Sequence, residues 1–284
     1  MNYARLRFST LVGLLSLFSL VYADNKGVTP LELKNHTGLF IGLGGSYNWA
    51  KVNANTSGTL NAISGIPSLG IMSGTTGSYS NSAQALAPLG KIGYIQNFTN
   101  SNWLWGIDFL YQYSEIKIRS YGNDMDPGTS ITLLNSTANT TDKITMATMQ
   151  IKVSDTFLLP VFLGHSFKNY FVYLGVGPYL FKTQYNVYDS TDMLSAHYIG
   201  KVDKFADTKW MWGGLAQTGF AYYLSQTWFL DINYTYAITG EYSTEFSSTF
   251  APAVNGGLNS GTLNFSNNQR LVNQEIALSI NKIL

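Results

Sequence analysis

The sequence predicts an all-β fold, namely an eight-stranded antiparallel transmembrane β-barrel with long extracellular loops and short periplasmic turns. Two observations support this prediction. Apolar and polar residues alternate with a period of two along many segments, which is typical of strands whose two faces meet different surroundings. The connections between these segments are alternately long and short, as in barrels that turn tightly on one side of a membrane only.

The composition suits strands and turns rather than helices. Only 12% of the 284 residues are charged, whereas 14% are aromatic and 19 are tyrosine. The absence of cysteine excludes disulfide bonds and thiolate metal sites. Removing the first 23 residues takes Arg5 and Arg7 from the 17 basic residues, which leaves 15 basic against 16 acidic residues. This balance does not favour nucleic acid as a partner.

The first 23 residues have the anatomy of a signal peptide. Arg5 and Arg7 precede an apolar run at 11–20, and Ala23 ends the segment. About ten apolar residues are too few to cross a hydrocarbon core as a helix. We therefore predict cleavage near Ala23, a periplasmic N-terminal lead at 24–37 and a barrel at 38–284 in the cell outer membrane.

The period-two segments define the strands and the connections. The predicted strands lie near 38–50, 85–98, 103–119, 147–165, 170–185, 209–224, 227–239 and 269–284. The long connections are 51–84, 120–146, 186–208 and 240–268, and the short ones are 99–102, 166–169 and 225–226. Four such long loops are uncommon in a compact domain, but they are normal for an outer-membrane barrel. An even number of strands brings both chain ends to the periplasm.

Aromatic side chains are concentrated near the strand ends. In a membrane barrel such residues form girdles at the two interfaces between lipid and water. The predicted girdle residues are Trp103, Trp105, Tyr111, Tyr113, Trp210, Trp212, Trp228, Tyr234 and Tyr236.

Polar residues on the opposite face predict a network inside the barrel. The predicted members are Lys91, Asp108, Gln112, Lys152, Asp231, Asn233 and Glu275. A charge that faces lipid costs up to about 2–4 kcal/mol, so an inward orientation is favoured. Because eight strands enclose little space, these side chains are expected to fill the lumen, although a pore for small solutes is the alternative.

Two segments resemble small eight-stranded outer-membrane barrels of the opacity-protein and OmpA-transmembrane-domain type. Residues 213–236 (GGLAQTGFAYYLSQTWFLDINYTY) are similar to their penultimate hairpin, and Tyr170–Tyr179 (YFVYLGVGPY) is similar to their fifth strand. The matching positions in the hairpin are Tyr222, Leu224, Trp228, Tyr234 and Tyr236. The chain departs from the family at its end, where Leu284 stands in place of the common aromatic residue.

Other motifs do not predict catalysis. The glycines at 42–45 and 175–177 lack the following helix that a nucleotide-binding turn requires. His36, His165 and His197 are not spaced as metal ligands. Ser166 is adjacent to His165 in a strand, so the two side chains should point to opposite faces. We predict no catalytic residue, no cofactor and no metal.

The predicted function is that of a non-enzymatic surface protein. A plugged barrel would display its long loops for envelope structure, adhesion or surface recognition, since loops on a rigid scaffold commonly carry binding sites. The expected partners are outer-membrane lipid, lipopolysaccharide and a host or surface ligand of the loops. The alternative is a narrow porin-like channel for small or apolar solutes, and a third hypothesis is an outer-membrane enzyme.

Overall fold

The computed structural model describes residues 37–64, 71–75, 79–127, 131–133, 136–138, 144–188, 191–194, 197–201, 205–250 and 259–284. The predicted signal peptide and the lead up to His36 lie outside the described residues. The described parts of the chain contain no helix that is long and apolar enough to span a membrane. Their strands, in chain order, are β1 (Gly38–Ser64), β2 (Ile71–Thr75), β3 (Tyr79–Asn97), β4 (Trp103–Pro127), β5 (Ile131–Leu133), β6 (Ser136–Ala138), β7 (Ile144–Leu158), β8 (Val161–Ser166), β9 (Tyr170–Tyr188), β10 (Thr191–Leu194), β11 (His197–Lys201), β12 (Phe205–Tyr223), β13 (Trp228–Thr239), β14 (Tyr242–Phe250) and β15 (Asn259–Ile283).

Eight antiparallel strands form a closed ring. Its order is β1, β3, β4, β7 continued by β8, β9, β12, β13 and β15. The ring closes between β1 and β15, which pair without interruption from Phe40 with Ile283 to Ser64 with Asn259. Closure leaves no open edge in the ring, so backbone hydrogen bonds are satisfied between neighbouring strands. The predicted fold class is confirmed.

The fourth barrel strand is interrupted where Leu159 and Pro160 separate β7 from β8. A proline has no N–H group, so it cannot donate to a neighbouring strand. The backbone N–H of Asp108 nevertheless donates to Pro160 O at 3.0 Å, and that of Leu159 donates to Pro178 O at 3.2 Å. These hydrogen bonds join the strand to both neighbours across the break.

The short connections lie where they are predicted, whereas the predicted long loops contain strands. β1 continues to Ser64 instead of ending near residue 50, and β4 continues to Pro127. The strands β2, β5, β6, β10, β11 and β14 lie within the predicted loops 51–84, 120–146, 186–208 and 240–268. These segments are rich in Ser, Thr and Asn and show little apolar alternation. Strands that project from a barrel have no lipid-facing side, so their pairing needs no such pattern.

Each barrel strand places alternate side chains inside and outside the ring. Burial alternates at every residue of β13, from Trp228 to Thr239. Large apolar side chains on the outside are exposed, including Leu39, Leu43, Leu86, Leu174, Val176 and Leu278. Two apolar clusters lie inside; one includes Phe40, Leu104, Phe171 and Phe229, and the other includes Val52, Ile118, Ile151 and Leu271.

Candidate functional site

The barrel interior contains six of the seven predicted polar residues. They are almost completely buried: Lys91, Asp108, Gln112, Asp231, Asn233 and Glu275. They come from the four strands β3, β4, β13 and β15. The alternation of polarity in the sequence therefore orients these side chains as predicted.

Lys91 and Asp231 form an ion pair across the barrel. The Nζ atom of Lys91 lies 2.6 Å from Oδ2 of Asp231. The Tyr173 hydroxyl donates to Oδ1 of Asp231 at 3.0 Å, and the Asn233 amide donates to Oδ2 at 3.1 Å. Asp108 is a further carboxyl group, and its Oδ1 atom has no hydrogen-bond partner among the described residues. Because three groups donate to Asp231, its carboxylate charge is well compensated in a buried site.

A second group of hydrogen bonds links β15 with β4, β1 and β9, and the sequence did not predict these contacts. The Gln112 amide donates to Oε1 of Glu275. The Asn273 amide donates to Oδ1 of Asn48 at 2.9 Å and to the Tyr179 hydroxyl at 3.0 Å. The alternation in the first predicted strand already places Asn48 on its polar face. The hydroxyls of Tyr173 and Tyr179 were missed because tyrosine in a barrel is expected in the girdles.

Lys152 lies outside the barrel, so its predicted inward orientation is wrong. Relative to β9, β7 has one extra residue between Val153 and Thr156. In the pairing of β7 with β4 the register also shifts, but there the extra residue lies in β4, between Tyr113 and Ile116. Ile151 and Val153 are buried before the bulge in β7, whereas Thr156 and Leu158 are buried after it. The bulge reverses the alternation, so Lys152 points outward, where its Nζ atom lies 2.9 Å from Oε1 of Glu115. A period of two cannot reveal an extra residue within a strand.

The nine predicted girdle residues all face the outside of the ring. None of them is buried, and they occupy two levels along the strands. Trp103, Trp105 and Trp228 lie beside the short turns. Farther along the strands, toward the long hairpins, lie Tyr111, Tyr113, Trp210, Trp212, Tyr234 and Tyr236. Between the levels most exposed outer side chains are aliphatic or aromatic, such as Ile232, and Thr218 is an exposed polar exception.

His165, at the end of the barrel with the short turns, lies between two aromatic rings. The ring centroid of His165 lies 5.2 Å from that of Trp103 and 4.8 Å from that of Phe167. The neighbouring Ser166 is buried, and its hydroxyl donates to Phe167 O at 3.3 Å. The two side chains thus point to opposite faces. His36 and the side chain of His197 lie outside the part of the chain that the structure describes.

No family model matches the sequence, and no curated protein matches it. Solved structures match over most of the chain. The outer membrane protease OmpT from Escherichia coli is 8% identical with a TM-score of 0.35, and the match covers 92% of this chain and 99% of that chain. Neisserial surface protein A (NspA) is 10% identical with a TM-score of 0.33, over 83% of this chain and 97% of that chain. The outer membrane protein OprG from Pseudomonas aeruginosa is 12% identical with a TM-score of 0.30, over 85% of this chain and 95% of that chain.

Proposed function

We propose that this chain is a non-enzymatic outer-membrane surface protein, a filled barrel that holds extended hairpins outside the cell for envelope structure, adhesion or surface recognition. The observation that supports this most directly is the buried interior. Among the described residues, the side chains that line the ring form one ion pair, amide hydrogen bonds and two apolar clusters, and they are almost inaccessible to solvent. A barrel filled in this way serves as a rigid support.

The outer surface supports a location in a membrane. Many large apolar side chains of the outer wall are exposed, and Leu43, Leu86 and Leu174 are each at least 69% exposed. Contact of such an apolar surface with water would be unfavourable. Girdle residues border this apolar belt on both sides, as lipid-facing barrels require. The signal peptide predicted at 1–23 would deliver the chain across the inner membrane.

The strands extend much farther at one end of the barrel than at the other, which supports display at the cell surface. On one side the barrel strands end in short turns such as the one that contains Asn100, whose φ of 56° is a conformation that asparagine tolerates. On the other side β1 and β15 remain paired as far as Ser64 and Asn259, well beyond the outer girdle. These hairpins carry mainly polar residues, so they suit an aqueous exterior.

Single-cysteine labelling tests this topology, because the chain has no cysteine of its own. Ser247 in β14 and Thr99 in a short turn are both exposed. In intact cells a membrane-impermeant maleimide should label Ser247→Cys but not Thr99→Cys. Permeabilising the outer membrane should make Thr99→Cys reactive. Labelling of Thr99→Cys in intact cells, with Ser247→Cys protected, would contradict the proposed orientation.

Planar-bilayer recording tests the filled interior against the porin-like alternative. We expect the purified barrel to insert without conductance, since eight strands whose lumen is occupied leave no aqueous path. Reproducible conductance that changes in a Glu275→Gln variant would contradict the filled barrel and favour the channel.

A further inference from the structure

The outer wall carries a compact group of charges at the level of the aromatic girdle and immediately beyond it. This group, here called the outer charge cluster, lies on β4, β7 and β9. Its members are Glu115, Lys117, Arg119, Lys152, Asp155 and Lys182. Four are basic and two are acidic, so the cluster has a net charge of +2.

The position of the cluster corresponds to the headgroup layer of a membrane. Tyr113 belongs to the girdle, and Lys117 follows it by four residues on the same outer face. Four residues of strand span about 13 Å, which becomes about 10 Å along the barrel axis for a tilted strand. Flexible lysine side chains can therefore reach the level at which lipid phosphates lie.

The arrangement of the charges leaves room for an anion. Lys117 and Lys152 are direct neighbours across β4 and β7 on the same face, where like charges repel. Among the described residues they share one carboxylate, that of Glu115, with N–O distances of 3.7 Å for Lys117 and 2.9 Å for Lys152. The side chain of Lys117 is 46% exposed. One carboxylate between two lysines does not balance their charge.

The third lysine lies where a bound lipid would also contact the girdle. The Nζ atom of Lys182 lies 3.4 Å from Oδ2 of Asp155 and 5.7 Å from the ring centroid of Trp210. The Tyr111 hydroxyl donates to Oδ1 of the same aspartate at 2.9 Å. A lipid whose phosphate lies against Lys182 would therefore extend its acyl chains past Trp210.

We propose that the outer charge cluster binds the phosphate group of an anionic membrane lipid. This rests on the proposed location in a membrane and names a partner for the outer wall. The phosphate supplies the negative charge that Lys117 and Lys152 lack, and the girdle below receives the acyl chains. The opposite rim offers no equivalent group, because the outward-facing cations described there are Lys168 and Lys282, on separate strand ends.

Fluorescence quenching by brominated lipids tests this assignment on the full barrel in vesicles. Trp210 is isolated as the reporter by subtracting the signal of a matched Trp210→Phe protein. Brominated phosphatidylglycerol should quench Trp210 with at least about a fivefold preference over brominated phosphatidylcholine, the ratio expected for one fully engaged cation. High salt should reduce the preference, because it screens exposed charges.

Two sets of variants make the test specific. The triple variant Lys117→Gln, Lys152→Gln, Lys182→Gln should lose the preference, whereas the control Lys168→Gln, Lys282→Gln should keep it. A heat-dependent shift in gel mobility confirms that each variant is folded. A triple variant that is folded and retains the preference would overturn the proposal.

The outcomes separate this inference from the proposed location. Equal quenching of Trp210 by both brominated lipids would overturn the phosphate site and leave the membrane location intact. Loss of the preference in excess inorganic phosphate, but not in sodium chloride of the same ionic strength, would show that the cluster takes soluble phosphate, which also overturns a lipid site. If neither lipid quenches any tryptophan, the membrane location itself fails.

Discussion

At the scale of single residues, the barrel interior depends on charges that compensate one another. Lys91 and Asp231 come from opposite parts of the ring and lie 140 positions apart in the sequence. Both are buried, so neither can exchange its partner for water. Such a pair adds little net stability compared with apolar residues of similar size, but the loss of one partner is costly.

Replacing one member of this pair should destabilise the barrel strongly. We expect Lys91→Met to lower the free energy of unfolding by about 3–5 kcal/mol, because Asp231 is left charged and unpaired. The double variant Lys91→Met, Asp231→Leu should recover most of that loss. Urea unfolding followed by tryptophan fluorescence measures both. Lys282→Met on the outer surface is the control and should stay within about 0.5 kcal/mol of the parent.

The ring of Tyr173 leaves no room for a side chain at position 219, so this position requires a glycine. Gly219 and Tyr173 are direct partners between β12 and β9, and a Cβ atom at residue 219 would overlap the tyrosine ring. We expect Gly219→Ala to cost about 1–3 kcal/mol through overpacking. Gly214→Ala on the same strand is the control, since its Cβ atom would meet no atom within 4 Å. Equal unfolding midpoints for the two variants would refute this role of Gly219.

At the scale of elements, the bulge in β7 decides which side chains enter the barrel. Without it, one alternation would extend from Gln150 to Leu158, with Lys152 and Leu158 on the same face. The register shift between Val153 and Thr156 in the pairing with β9 allows Ile151 and Leu158 to be buried together. A shift of one residue exchanges the inward-facing and outward-facing side chains in the rest of the strand.

Deleting Ser154 should remove the bulge without changing which side chains face the lumen. The shortened strand would alternate regularly against β9, with Val153 and Thr156 inside and Lys152 and Asp155 outside. We therefore expect this variant to keep the heat-modifiable folded band on a denaturing gel. Deletion of Phe157 is the matched control, because it either turns Leu158 outward or brings Asp155 into the lumen, where an unpaired buried charge costs more than about 3 kcal/mol. Loss of the folded band in the Ser154 deletion alone would contradict this role of the bulge.

At the scale of the whole molecule, stability depends on closure of the ring. β15 pairs with β1 on one side and with β13 on the other, so the last strand of the chain joins the first. The backbone N–H of Leu284 donates to Leu39 O at 2.9 Å, while the leucine side chain is 72% exposed. The side chain at position 284 thus contributes no contact to the barrel interior.

Truncation after Asn273 should prevent closure. It removes most of the pairing of β15 with β13 and the turn-side part of its pairing with β1, which opens two edges in the belt that faces lipid. We expect the truncated chain to lack the heat-modifiable band and to be degraded by protease. Removal of 24–36 is the control and should leave the ring intact, since the first paired residue is Gly38. The two truncations also test the predicted boundary between the lead and the barrel.

The sequence by itself determined the closed barrel, the number of its strands and the orientation of most side chains. Alternation with a period of two is a local property, so it can be read without knowledge of the partners of a strand. It placed Asp108, Asp231 and Glu275 inside and the girdle residues outside.

Only the tertiary structure decided how the inner side chains pair, how far the strands extend and where Lys152 points. The pairing of Lys91 with Asp231 depends on which strands meet across the ring. The polar extensions of β1 and β15 are strands because a neighbour satisfies their backbone groups, and no apolar pattern records that. The orientation of Lys152 follows from a single extra residue in β7 relative to β9, together with a register shift in the pairing of β7 with β4.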